Sequence, residues 1–220
     1  MICLKTQDVV LFQGDSITHG GRGENQADKN HVLGHGFQTL LAGRLAMENL
    51  PRTPAFYNRG VSGDTTQKLL ARWQRDTLDL SPTLLNILIG ANNGSSEKQN
   101  EPELFASDLR EMIARTRAAH PACRIVLSEP FAFPHPASHT EEALSRDRRR
   151  VDCTRALADL TRQIAEETGS LFVPLWETLD RYRRALPPAA VVWDTVHPTF
   201  LGHELIAKQW YETVNAVWGK

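Results

Sequence analysis

Five short apolar runs recur along this chain, at Val9–Phe12, Ala55–Tyr57, Leu84–Ile89, Ile125–Leu127 and Leu171–Val173, and a stretch with helical periodicity follows each of them. Each run is the length of a strand and rich in branched or aromatic residues. A strand–helix alternation repeated in this way leaves few choices. Consecutive strands joined by helices lie parallel, and the helices must cover both faces of the sheet. The helical stretches fit this. "GFQTLLAGRLAMENL" places Phe37, Leu40, Leu41, Leu45 and Met47 near one face, and "TTQKLLARWQRDTLDL" does the same with Leu69, Leu70, Trp73 and Leu78, after a cap at Asp64 or Thr65. "PELFASDLREMIARTRAAH", a segment over 141–168 and "LGHELIAKQWYETVNAVW" complete the set. No proline- or serine-rich linker and no internal repeat divides the 220 residues, so a single domain over 1–220 is expected.

Composition removes several function classes. The formal net charge is -1, so no bulk field draws the protein to nucleic acid or a membrane. The one basic cluster, "RDRRR" at 146–150, reads as the solvated face of a helix. Cys3, Cys123 and Cys153 are odd in number and widely spaced, without CxxC or histidine-rich surroundings. They are expected to be buried reduced thiols rather than a disulfide framework or a metal site. The opening "MICLKTQDVV" has neither a long apolar core nor a small-residue cleavage site, which makes a cytoplasmic protein the expectation.

In parallel sheets of this kind, sites collect at the carboxyl ends of the strands. The segments that follow the runs are "GDSITHG", "NRGVSGDTT", "GANNGSSE" and "EPFAFPHPASH". In the first, Gly14 lets the chain turn sharply, Asp15 caps the turn and Ser16 is held out at the strand end. A serine hydroxyl needs a base before it attacks anything. The base candidate is His197 in "VVWDTVHPTF", three residues after Asp194 and followed by Pro198, so that one turn of chain brings the acid to a ring nitrogen. His19, His31, His35, His120, His135, His139 and His203 lack such an acid in a strand-end loop and read as surface or packing residues. Three donors suit a developing oxyanion: the Ser16 N–H, the Gly63 N–H before a helix start, and the Asn92 side-chain amide. The stretch 21–36, with four glycines, lacks the spacing of a phosphate loop and is expected to be a flexible rim, while 131–139 is expected to form a second wall whose aromatics and prolines either contact substrate or simply pack.

"GDSIT", "NRGVSGDTT", "GANN" and "DTVHPT" resemble, in order, the four sequence blocks of the SGNH hydrolases, also called the GDSL esterase/lipase family. The resemblance runs from Val10 to Trp210. It implies a flavodoxin-like three-layer α/β/α sandwich with a five-stranded parallel sheet. It also implies Ser16 as nucleophile, Asp194 and His197 as acid and base, and Ser16, Gly63 and Asn92 as the oxyanion hole. "LFQGDSIT", the "ARW" of 71–73 and "WDTVHPTFLGHELIA" look most like bacterial carbohydrate acetylesterases of the acetylxylan-esterase type. One block departs from the family. Its third block usually reads Gly-x-Asn-Asp, whereas this chain has Gly90, Ala91, Asn92 and Asn93, which predicts a less rigid loop around a working site.

The expected activity is hydrolysis of short acyl esters, acetyl foremost, of a carbohydrate or small alcohol through an acyl-enzyme, with no metal or organic cofactor. Two other readings stay open. One is a thioesterase or lysophospholipase acting on longer acyl chains, against which stands the absence of a long apolar lid segment. The other is a binding protein of the same fold with a vestigial site, against which stand the intact Ser16, Asp194 and His197. A homo-oligomer is compatible with the sequence.

Overall fold

A computed structural model describes residues 1–95, 102–187 and 189–219. The apolar runs form the five strands β1 (Val9–Gly14), β2 (Ala55–Asn58), β3 (Leu84–Leu88), β4 (Arg124–Ser128) and β5 (Leu171–Val173). They make one parallel sheet in the order β2-β1-β3-β4-β5, the flavodoxin-like order. The helices are α1 (Ser16–His19), α2 (Phe37–Glu48), α3 (Thr66–Ala71), α4 (Trp73–Asp76), α5 (Pro102–Ala119), α6 (Glu141–Thr168), α7 (Trp176–Ala185) and α8 (Phe200–Trp218).

Successive strand residues point to opposite faces, and the sheet has a core on each side. Val10 and Phe12 of β1, Leu84 and Leu88 of β3 and Val126 of β4 pack with α2, α7 and α8. Leu11, Leu85, Ile87, Ile125 and Leu127 face the other way, against α3, α5 and α6. This is the three-layer sandwich, and its strands are buried on both sides, which is why they read as continuous apolar runs. The chain turns from β2 back across β1 to β3, so the strand order reverses between these three strands. Their carboxyl ends therefore flank a crevice.

Three expectations need correction. In α2 the buried face is Phe37, Gln38, Leu41, Ala42 and Leu45, while Leu40 and Met47 are 42% and 68% exposed. At 3.6 residues per turn those two fall on the far side from Leu41 and Leu45. The second helical stretch is two short helices, with a break at Arg72. Trp73 is buried and donates from Nε1 to Thr116 Oγ1 at 3.1 Å, and the neighbouring Arg72 is also drawn inward, to the end of β1. A regular helix turns about 100° between neighbours and cannot aim both at the core. Of the cysteines, Cys3 is exposed, and Cys123 and Cys153 are only half-buried. Burial pushes the Cys123 thiol up to about 12.

Candidate active site

β1 ends at Gly14, whose φ is +154°. A Cβ there would run into the Leu88 carbonyl, so glycine is what allows β1 and β3 to approach at this point. Asp15 caps the next turn, accepting the Ile17 N–H at 3.0 Å on Oδ1, and Ser16 is the first residue of α1. The far end of this short helix is fixed by Asn58 at the end of β2. Its amide donates to the carbonyls of Thr18 (2.7 Å) and His19 (3.2 Å). Ser16 is therefore held from both ends of a single turn.

The structure brings Asp194 and His197 to Ser16. His197 Nε2 lies 2.8 Å from Ser16 Oγ, and His197 Nδ1 lies 2.7 Å from Asp194 Oδ2. Asp194 Oδ1 accepts the backbone N–H groups of Val196 and His197, each at 2.8 Å. Those bonds fold the "DTVH" segment into the turn that the three-residue spacing implied. Burial alone would raise the Asp194 carboxyl, but the His197 ring and the two amides outweigh it and hold the group at about 2. The Asp194 hydrogen bond raises the His197 pKa above its ordinary value, against the opposing effect of burial. An acceptor at Nδ1 assigns the ring proton to that nitrogen and leaves Nε2 to take the serine proton.

Asp28 and His31 have the same spacing and the same 2.7 Å contact, and His31 is a surface residue as expected. That pair is exposed in the rim loop, away from the strand ends.

Gly63 and Asn92 stand on the loops after β2 and β3. The Val61 N–H bonds to the Gly14 carbonyl at 3.1 Å, which brings the first loop beside the nucleophile turn. Gly63 has φ +82°, a left-handed conformation that favours glycine, and is exposed. Asn92 Nδ2 donates to the Asp64 carbonyl at 3.0 Å and fastens the two loops together. Asn93 is buried, and its role is directional. Its Oδ1 accepts the Thr66 N–H at 3.2 Å, capping α3, while its Nδ2 donates to Thr66 Oγ1 at 3.2 Å. Burial raises the pKa of the Asp108 carboxyl, against the opposing effect of the nearby Thr66 hydroxyl. Neither Asp64 nor Thr65 supplies the side-chain cap that the sequence suggested. Asp64 is turned to Arg72, 2.7 Å away. The last two residues of "GANNGSSE", 96 and 97, lie outside the described residues.

Two arginines brace this arrangement, and the sequence signalled neither role. Arg72, noted only within "ARW", donates to Asp64, to the Arg59 carbonyl (2.7 Å), to Gln13 Oε1 (3.1 Å) and to the Gly14 carbonyl (3.3 Å). It ties the end of β1 to the β2 loop. Arg150 was read with its neighbours as part of a solvated face. Instead it is partly buried, and its Nη2 donates to the Ala91 carbonyl at 3.3 Å. Burial lowers its pKa, and the charges of Asp194 and Asp15 oppose that. Asp147 of the same cluster is buried too, accepting the His135 N–H at 2.8 Å and the Ser138 hydroxyl at 2.7 Å. Long arginine stems pack along apolar surface while their heads reach polar partners, so a run of charge does not establish exposure. Asp15 is fully buried. Its Oδ2 has no hydrogen-bond partner among the described residues, and burial pushes the carboxyl up to about 6.

A pocket of about 190 Å³ opens at Ser16. Ser16 and His197 share it with Ile17, His35, Trp193 and His203. Trp193, 58% exposed, stacks on the His197 ring with centroids 6.3 Å apart. The 21–36 stretch reaches the rim through His35, and side chains from outside it, Gln38 and Asn58, both hold the Leu33 carbonyl at 2.8 Å. Phe131 and Phe133 of the expected second wall are buried and stack on each other instead of facing the pocket. The Phe133 N–H still holds the triad loop through the Thr195 carbonyl at 2.8 Å.

Comparison with known proteins agrees with this geometry. The GDSL-like Lipase/Acylhydrolase family matches residues 12–205. An acetylxylan esterase of Geobacillus stearothermophilus is 30% identical over 95% of this chain and 94% of its own. Among solved structures, a protein described as a GDSL-like lipase from Parabacteroides merdae superposes with a TM-score of 0.87 at 31% identity, covering 97% of this chain and 98% of its own. The acetylxylan esterase Axe2 from Geobacillus stearothermophilus superposes with a TM-score of 0.78 at 28% identity over 99% of each chain. Solved variants of Axe2 with a serine or an aspartate changed to alanine are described as catalytic mutants.

Proposed function

This chain belongs to the GDSL-like lipase/acylhydrolase family, and we propose that it is a serine esterase that removes short acyl groups, acetyl foremost, from a carbohydrate or another small alcohol. The observation that carries this reading is the hydrogen-bonded chain from Ser16 Oγ through the His197 ring to Asp194, at 2.8 and 2.7 Å.

In the proposed reaction His197 Nε2 takes the Ser16 proton as Oγ attacks the ester carbonyl. The Ser16 and Gly63 N–H groups and the Asn92 amide stabilise the tetrahedral oxyanion. His197 then gives its proton to the leaving alcohol oxygen as the C–O bond breaks. Water, activated by the same nitrogen, hydrolyses the acyl-serine and regenerates the hydroxyl. Asp194, ionised throughout, holds the ring's tautomer and stabilises the imidazolium. The description of serine and aspartate variants of Axe2 as catalytic mutants supports the assignment, as does the acetylxylan esterase at 30% identity.

The test is turnover of p-nitrophenyl esters from acetyl to octanoyl, beside acetylated xylo-oligosaccharides, by wild type and Ser16→Ala. The reading expects kcat/KM to fall with chain length, acetylated sugars to be hydrolysed, and Ser16→Ala to be inactive with an unchanged circular dichroism spectrum. Rising kcat/KM with chain length moves the protein to the thioesterase or lysophospholipase branch. No turnover of any ester by wild type makes it a binding protein of this fold.

A further inference from the structure

His203 lies in the first turn of α8 and is only 6% exposed. From its sequence context it reads as a packing residue. Its Nδ1 accepts the backbone N–H of Phe37 at 3.2 Å, and its ring stacks on the Phe37 ring. A neutral imidazole carries one donor and one acceptor nitrogen, so an acceptor at Nδ1 places the proton on Nε2. The ring stays neutral in ordinary buffers, because burial, with the nearby His35 and His197, pushes its pKa down to about 4. Among the described residues no hydrogen bond is made at Nε2. His203 lines the pocket that holds Ser16 and His197, and Nε2–H is its one polar group left for a ligand there.

The side of the pocket identifies what it meets. Trp193, His197 and Pro198 form this wall, whereas no described residue of the loops bearing Gly63 and Asn92 does. The oxyanion is expected on those loops. The leaving oxygen must lie against His197, because His197 protonates it. The alcohol part of the ester therefore occupies the His203 side.

We infer that His203 is a specificity-determining donor whose Nε2–H binds a free hydroxyl of the leaving alcohol, so that the preferred substrates are monoacyl polyols with a hydroxyl beside the esterified oxygen. This rests on the esterase reading above. An N–H aimed at a site that excludes much of the solvent is left unpaired by an alcohol lacking that hydroxyl, which is how a site rejects a near-isostere. His35, at the rim with its ring edge-on to His203 at 6.4 Å, extends the same polar wall.

Ethylene glycol monoacetate and propyl acetate are nearly the same size and differ in one hydroxyl. The test compares kcat/KM for the two in wild type, His203→Asn and His203→Gln, with thermal melts as a check on folding. An asparagine oxygen stands where Nδ1 stood and keeps the Phe37 contact, but it removes the Nε2 donor, whereas glutamine restores a donor near Nε2. The expected preference of wild type for the glycol ester is about tenfold. It should shrink to about twofold or less in His203→Asn and return in part in His203→Gln. Equal hydrolysis of both esters by wild type overturns the inference without touching the esterase reading, and needs no variant to fold. A preference that survives in His203→Asn assigns the donor elsewhere and also overturns it. Failure to hydrolyse either ester overturns the esterase reading itself.

Discussion

Arg150 reaches from α6 to the carbonyl oxygen of Ala91, 3.3 Å from its Nη2, and so braces the loop that carries Asn92. Its charge also opposes protonation of His197. Arg150→Met is expected to lower kcat about tenfold with KM within about threefold, since a loosened oxyanion donor acts on the transition state. It should also move the midpoint of the kcat/KM–pH profile upward. Arg150→Lys should keep the midpoint near that of wild type. A wild-type profile in the methionine variant would limit Arg150 to packing.

The profile itself has a fixed sign. His197 must be neutral to accept the serine proton, and its pKa is raised above 6.5, chiefly by Asp194. kcat/KM should therefore climb with pH through a midpoint above 6.5 and then level off. Asp194→Asn should lower that midpoint and cost about a thousandfold in rate, because an amide permits the wrong tautomer. The pair also stabilises the fold. The depressed Asp194 contributes fully above 3.8, its ordinary value, and the raised His197 contributes fully below 6.5. Thermal melts across pH should show the contribution of the pair largest between those limits.

Asp15 works the other way. Its carboxyl is raised from 3.8 to about 6, so its charge destabilises the fold as pH rises between those values and throughout the range above. Asp15→Asn keeps an oxygen for the Ile17 N–H and removes that charge. The variant should gain up to about 3 kcal/mol at pH 8, from a shift of roughly two pK units, and little or nothing at pH 4. Equal melting shifts at both pH values would show that the gain has another source. The same change removes a negative charge that supports the imidazolium, and should lower the midpoint of the rate profile.

Asn92→Ala is expected to cut kcat about a hundredfold or more with little change in KM. If KM rises while kcat holds, the amide binds ground-state substrate and lies outside the oxyanion hole.

Asn93→Asp restores the acid usual in the family, yet here it should destabilise. A carboxylate has no hydrogen to give, so at 93 it would replace the present donor–acceptor contact with two facing oxygens. A loss of about 1–3 kcal/mol at pH 7 is expected in denaturant unfolding, shrinking as the pH falls and the new acid is protonated. A neutral or stabilising result would mean that Thr66 re-aims its proton.

What the sequence revealed and what it concealed follow from the range of the interactions. The strands were legible because doubly buried strands must be apolar from end to end. The Ser16, Asp194 and His197 set was legible because the acid and base are fixed by a turn of three residues, a local fact. Arg72, Arg150 and His203 were not. Each is placed by a partner far along the chain: Gly14, Ala91 and Phe37 respectively. A charged or polar residue on a helix reads the same whether the adjoining space holds water or a strand end. The break at Arg72 escaped for the same reason, since the periodicity around it is helical and the pull inward comes from β1.

Ser16 and His197 meet at 2.8 Å across 181 positions of chain. A growing polypeptide therefore carries its nucleophile turn long before its base has been synthesised. No ester can be cleaved until α8 has docked on the sheet and carried the segment before it into place. The same holds during refolding from denaturant, where recovered turnover times the closure of this long loop. Secondary structure should return first. In a stopped-flow experiment, hydrolysis would therefore lag behind the circular dichroism signal and report the last step of assembly.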